Sequence, residues 1–309
     1  MEIHLYLPIA EVSVNIFTLL GLGLLVGFLS GLFGVGGGFL LTPLLIMIGI
    51  PPTVAAASDS NQIVAASSSG MYAHLRKGNV DIKMGVLLLL GGIAGGTAGV
   101  QIIKILRQTG NADFLIKICY VVMLGTVGAY MFQESLRNLR PRAAGRLVIE
   151  EEKEGWFGKL NRALPFNIYF EKSGTSMSVF LPLLFGILVG VLSAIMGVGG
   201  GFIMVPVMVY MLRMPMHVVV GTSLFQILFT CMNVTFMQAY TNHTVDFVMA
   251  LILLLGSTAG AQLGARVSDK LKADHLKILL SIIVLLVMFK MLFDLLLKPD
   301  LLLGFKGMH

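Results

Sequence analysis

The sequence predicts an all-α polytopic membrane protein made of two homologous, inverted halves. Three observations predict it. Of 309 residues, 56% are hydrophobic and only 12% charged, with mean hydropathy +0.89, whereas a soluble domain carries roughly 25% charge. Several apolar stretches reach about 20 residues, enough to cross the ~30 Å hydrocarbon layer. The chain also repeats itself. Ser30-Gly-Leu-Phe-Gly34-Val-Gly36-Gly37-Gly38-Phe39-Leu-Leu-Thr42-Pro43 recurs as Ser193-Ala-Ile-Met-Gly197-Val-Gly199-Gly200-Gly201-Phe202-Ile-Met-Val205-Pro206. Most of the differences exchange one apolar residue for another, so the two runs are copies.

Each half is expected to contain a glycine-broken helix hairpin and three further transmembrane helices. The first repeat covers 13–134, a cytoplasmic linker 135–178, and the second repeat 179–298. In the first, the apolar run Ile16 to Phe33 meets the glycine cluster, resumes over Phe39 to Ile50 and stops at Pro51-Pro52. Glycine weakens helices, so a cluster of them implies a broken helix or a tight hairpin. Thr53 to Leu75 follows, rich in small and polar residues. Beyond a basic turn, Ile82 to Leu106 carries Gly91, Gly95 and Gly99, with Gly92 and Gly96 beside them; this spacing lets helix backbones approach closely in lipid. Phe114 to Phe132 closes the half. The linker mixes Arg137, Arg140, Arg142 and Arg146 with an acidic run, and its aromatic stretch Trp156 to Phe170 suits a membrane surface. The second half then replays the first: Pro215 answers Pro52, Gln226 answers Gln62, Asp246 answers Asp81, and Gly256, Gly260 and Gly264 answer the first glycine row.

Charge arbitrates the topology. Ala73–Lys83 holds Arg76, Lys77 and Lys83, while the equivalent turn Gln238–Val248 holds no Lys or Arg. Parallel halves would put both turns on one side. Inversion instead gathers the basic turn, the basic stretch Arg266–Lys277 and the linker on the inside, although Lys104, Arg107 and Lys117 then fall outside. The formal charge of +6 follows from this bias and implies no nucleic acid. No Lys or Arg precedes Arg76, so the first apolar run lacks the basic flank of a signal peptide and is expected to be retained.

Paired helix breaks in the two halves of a membrane chain point to a transport site, since irregular backbone at membrane depth must be buried or line a cavity. Such breaks offer backbone N–H groups suited to an anion; close helix packing is the plainer alternative. No Walker lysine follows either cluster and no dinucleotide fingerprint is complete, so no nucleotide-driven pump is implied. Candidate substrate-binding residues are Gly36, Gly37 and Gly38 with Ser58, Asn61 and Gln62, and Gly199, Gly200 and Gly201 with Thr222, Ser223 and Gln226. Asp59 is the candidate for proton coupling, because intramembrane carboxylates are costly and often serve ion pathways. Lys290 and Asp294, four apart, are expected to pair. Cys119 and Cys231 read as small buried hydrophobes, and the scattered His74, His217, His243 and His275 imply no metal.

The doubled Gly-Val-Gly-Gly-Gly-Phe with its following proline, together with Val219-Val-Gly221-Thr222-Ser223 after Pro215, resembles the TauE/SafE sulfite-exporter family. The resemblance spans Ser13 to about Leu297 and implies a secondary transporter of a small sulfur-containing or organic anion in the cytoplasmic membrane. Sulfite, sulfonates and sulfoacetate are the substrates it suggests. The first half departs from the motif, with Ala57-Ser58-Asp59 where the second has Gly221-Thr222-Ser223. A passive anion channel and an intramembrane enzyme are the alternatives, although no nucleophile with a matched base supports the enzyme. The expected partners are the anion and the lipid bilayer, with homo-oligomerisation left open and no cofactor implied.

Overall fold

The computed structural model describes residues 4–33, 38–139, 164–212, 214–268 and 273–297. A short hairpin, β1 (His4–Leu7) and β2 (Val12–Asn15), leads into α1 (Ile16–Phe33). Then come α2 (Gly38–Met47), α3 (Pro52–Arg76), α4 (Ile82–Gln108) and α5 (Ala112–Leu139). A second hairpin, β3 (Asn167–Phe170) and β4 (Thr175–Ser178), opens the second half. It lies within the segment expected as linker, and its register repeats that of β1–β2. The duplicated unit therefore starts before the first helix of each half. The second half continues with α6 (Phe180–Met196), α7 (Gly201–Pro206) running into a π-helical turn (Val207–Met211), α8 (Met216–Met237) ending in another (Gln238–Asn242), α9 (Phe247–Ser268) and α10 (Ala273–Leu297). Among the described residues, five helices are long and apolar enough to cross a membrane, and α1, α2 and α6 are shorter apolar helices.

The glycine rows dictate which helices touch. A Cβ on Gly23 of α1 would sit 2.8 Å from the Leu253 carbonyl oxygen of α9, and one on Gly27 would collide with Ser257. In the equivalent pair, Gly91 of α4 meets Leu183 and Gly186 of α6, and Gly99 meets Val191 and Ala194. Residue numbers rise together along both contacts, so both pairs run parallel. Gly92 and Gly96 face Thr230 and Val234 of α8, giving α4 two small-residue faces. The equivalent helices α5 and α10 instead pack antiparallel: Gly125 faces Met288, and Gly128 faces Val284 and Leu285. Across all these contacts, each half packs mainly on the other, which interlocks them.

Two buried carboxylates make the joints. Asp81 caps α4, its Oδ1 accepting from Met84 N–H at 3.1 Å, and its Oδ2 accepts from the hydroxyl and N–H of Ser173 on the second hairpin. Its own N–H donates to Thr222 Oγ1 at 3.0 Å. Asp246 repeats the pattern, accepting from Met249 N–H at 3.0 Å and Ile9 N–H at 3.3 Å, while its N–H donates to Ser58 Oγ at 3.0 Å. Each joint thus ties a helix of one half to the hairpin and a broken-segment neighbour of the other. The expected Lys290–Asp294 pair forms at 3.0 Å.

Candidate functional site

The second break is built from three glycines with left-handed backbones: Gly197 at φ 75°, Gly199 at 71° and Gly200 at 75°. Gly197 caps α6, its N–H donating to Ser193 O, and it packs directly on the Ala56 carbonyl of α3, where no side chain would fit. Ser60, one turn further along α3, donates to the Gly197 carbonyl at 3.3 Å. Gly199, Gly200 and Gly201 are buried, and the turn they form leads directly into α7. Successive backbone N–H groups in a left-handed turn at a helix start form a concentration of positive dipole.

The first break is described only from Gly38 onward; the candidate residues Gly36 and Gly37 lie outside the described residues. Gly38 borders Asp59, whose Oδ2 would be 3.4 Å from a Cβ there. Phe39 and Phe202, the residues that follow the two clusters, stack with ring centroids 4.4 Å apart and planes within 4°. The residues that follow the two clusters therefore meet in the buried core, with α3 contacting Gly197 through Ala56 and Ser60 and Gly38 through Asp59.

Asp59 is fully buried. Its Oδ2 lies 2.7 Å from Thr42 Oγ1 on α2, and its Oδ1 has no hydrogen-bond partner. The two candidate glutamines occupy equivalent places. Gln62 donates to Ser257 Oγ at 2.6 Å, and Gln226 donates to Thr230 Oγ1 at 2.9 Å, facing Gly92 where Ser257 stands in the other half. Both keep a buried Oε1 without a partner, as does Ser193 Oγ. Ser58 and Thr222 are engaged in the joints to Asp246 and Asp81. Ser223 donates to its own helix at Val220 O, and Asn61 is half-buried.

Three groups escaped sequence reading as parts of the centre. The Asp81 and Asp246 joints were signalled by their recurrence. Thr42 sat unmarked in an apolar run, and Tyr120, whose hydroxyl donates to the Met196 carbonyl beside Gly197, carried no local signal at all. Near the α3 N-terminus a cleft of about 310 Å³ is lined by Glu11, Thr53, Arg107 and Asp113, among others. Among the described residues no cluster of three metal-ligating side chains occurs.

A family model described as "Sulfite exporter TauE/SafE" matches residues 19–291. The chain belongs to the TauE/SafE family. This TauE/SafE protein is 26% identical over 267 residues to a probable membrane transporter protein, YjnA, of Bacillus subtilis, covering 85% of this chain and 94% of the relative. It is 24% identical over 274 residues to the probable membrane transporter protein MJ0441 of Methanocaldococcus jannaschii, covering 84% and 88%. A third relative, the Arabidopsis thaliana TauE/SafE family protein 1, is 34% identical over 108 residues, or 34% of this chain and 24% of that one. No solved structure matches. The TauE/SafE protein is a multi-pass membrane transporter and not an enzyme, which removes the intramembrane-enzyme alternative.

Proposed function

We propose that this protein is a secondary transporter that carries a small sulfur-containing or organic anion, of the sulfite, sulfonate or sulfoacetate class, across the cytoplasmic membrane. The anion passes between the two glycine breaks, and a proton moves with it at Asp59. The observation that carries the reading is the buried, left-handed glycine turn at Gly199–Gly200 leading into α7, whose backbone N–H groups offer a neutral anion-holding surface that does not trap its ligand as a buried arginine would. To this site we assign Gly38, Ser58, Asn61, Gln62, Thr222, Ser223 and Gln226, together with Gly36 and Gly37. The halves are inverted repeats: the antiparallel packing of the equivalent helices α5 and α10 supports this, because halves related by an axis along the membrane normal would carry equivalent spans in parallel.

Proton coupling has a physical rationale. A carboxylate beside an anionic substrate repels it, and protonation removes that charge, so anion and proton move together. The test is uptake of labelled sulfite, thiosulfate and small sulfonates into liposomes holding the purified protein, after a thermal-shift screen selects those that bind. A transporter shows counterflow and accumulation driven by an imposed pH gradient. Asp59→Asn keeps volume and hydrogen bonding but cannot titrate, so exchange should continue while the response to the gradient disappears. Uptake without counterflow would favour a channel, and a mutant still driven by pH would free Asp59 of the coupling role.

A further inference from the structure

Two equivalent isoleucines cover the glycines. Ile63 of α3 follows Gln62 as Ile227 of α8 follows Gln226. A Cβ on Gly38, the first residue of α2, would collide with the Ile63 Cδ1 methyl. A Cβ on Gly201, the first residue of α7, would lie 2.6 Å from Cδ1 of Ile227. Each isoleucine thus packs on the glycine that restarts the helix in its own half. The two also meet on the second break: a Cβ on Gly199 would lie 3.0 Å from Cγ2 of both, with Cys231 Sγ at 2.9 Å. Ile63, Ile227 and Cys231 form a small apolar cluster of their own, none of them more than 7% exposed.

The helices that carry the pair cross antiparallel, with Gly70 facing Leu224 and Gly221 facing His74, and this crossing brings the equivalent residues together. A helical isoleucine holds nearly always to one χ1 rotamer, so neither side chain swings clear by itself. Uncovering Gly199 requires α3 and α8 to move apart. Apolar side chains at a constriction exclude water and ions by dewetting, which suits a pair set against polar backbone. Ile63 also lies one helical turn from Asp59, whose Oδ2 would be 3.4 Å from the same Gly38 Cβ. One side chain therefore stands beside the carboxylate, the start of α2 and the second break.

We propose that Ile63 and Ile227 form the apolar seal of the transport route: packed together they shut the glycine turn off from water, and the anion reaches it only when α3 and α8 part. This rests on the reading of the breaks as the anion site.

Cys231, packed with the pair, reports on it. In a Cys119→Ala parent it is the remaining thiol of the chain's two cysteines. The probe is sulfonatoethyl methanethiosulfonate, an anionic thiol reagent, applied to the purified full-length protein. The parent should react slowly. Ile63→Ala and Ile227→Ala thin the seal and should each speed labelling of Cys231 by roughly tenfold, because exposure of a buried group follows the free energy of local opening. Leu253→Ala, a comparable truncation at a fully buried position of α9, separates the seal from general loosening. It should lower the melting temperature while labelling keeps the parent's rate. If Leu253→Ala speeds labelling as much as the isoleucine variants do, or if those leave the rate unchanged, the pair is core packing and the proposal is overturned. Should the alanine variants not fold, Ile63→Val and Ile227→Val replace them with a smaller expected rise, and no rise overturns the proposal equally. Counterflow of labelled anion by the parent would in that case leave the anion reading standing. Faster labelling in the variants with no anion counterflow by the parent would keep the seal and remove the anion reading.

Discussion

At Gly200 two constraints coincide. Its backbone is left-handed at φ 75°, and a Cβ there would run into the Val189 side chain of α6. A β-branched residue resists that conformation and fills the same space. Gly200→Val should therefore abolish transport and lower the yield of folded protein at the membrane; normal transport by a folded variant would contradict the place of this break in the site. Asp81 offers a second residue-scale case. Its carboxylate caps α4 and holds Ser173 of the opposite half. Asp81→Ala loses a cap and strands buried donors, so we expect a loss of roughly 2–4 kcal/mol, read as a fall in melting temperature of the purified protein. Asp246→Ala should cost a similar amount, and a negligible effect in both would remove the joints from the account of stability.

Among the elements, the contacts α1–α9 and α4–α6 decide how the halves interlock. Both depend on glycine rows that bring one backbone against another, an arrangement that lipid-embedded helices need because they lack a hydrophobic drive to associate. Gly95 of α4 packs on the Ile187 carbonyl, and Gly260 of α9 on that of Leu24. Alanine at either position must push a helix aside, which costs about 1–3 kcal/mol for an overpacked contact. Thermal unfolding should show both losses, and they should add in the double mutant because the two interfaces share no residues. Gly21 of α1, with nothing within 4 Å of its Cβ position, is the control and should tolerate alanine.

For the molecule as a whole, the sharpest statement is orientation. The turn at Gly78, with φ 71°, is answered 165 residues later by His243, one of the few non-glycine residues with positive φ, at 51°. The same turn thus recurs in both halves, and the proposed inversion would put its copies on opposite sides of the membrane. Lys77 and His243 are both exposed. Cysteines at these positions in a protein freed of Cys119 and Cys231 should react with an impermeant thiol reagent from opposite sides. Labelling of both from one side would end the inverted arrangement. The Lys/Arg difference between the two turns, with Arg76 and Lys77 at the first, predicts that Lys77 faces the cytoplasm.

The sequence by itself determined the class, the duplication and the helix spans. Hydropathy and glycine punctuation act over a single turn or a single run, so Ile16–Phe33 and the start of α4 at Ile82 could be read directly. The repeated motif led to the family for the same reason: its information lies in contiguous residues. The two hairpins were missed because four-residue strands carry too little alternation to register. Only tertiary structure decided which helices pair, that Ser58 reaches Asp246 across 188 residues, and that Tyr120 reaches Met196 across 76. Such contacts depend on how whole helices are placed against one another. A tyrosine in an apolar helix looks the same in sequence whether it faces lipid or holds the carbonyl beside a helix break.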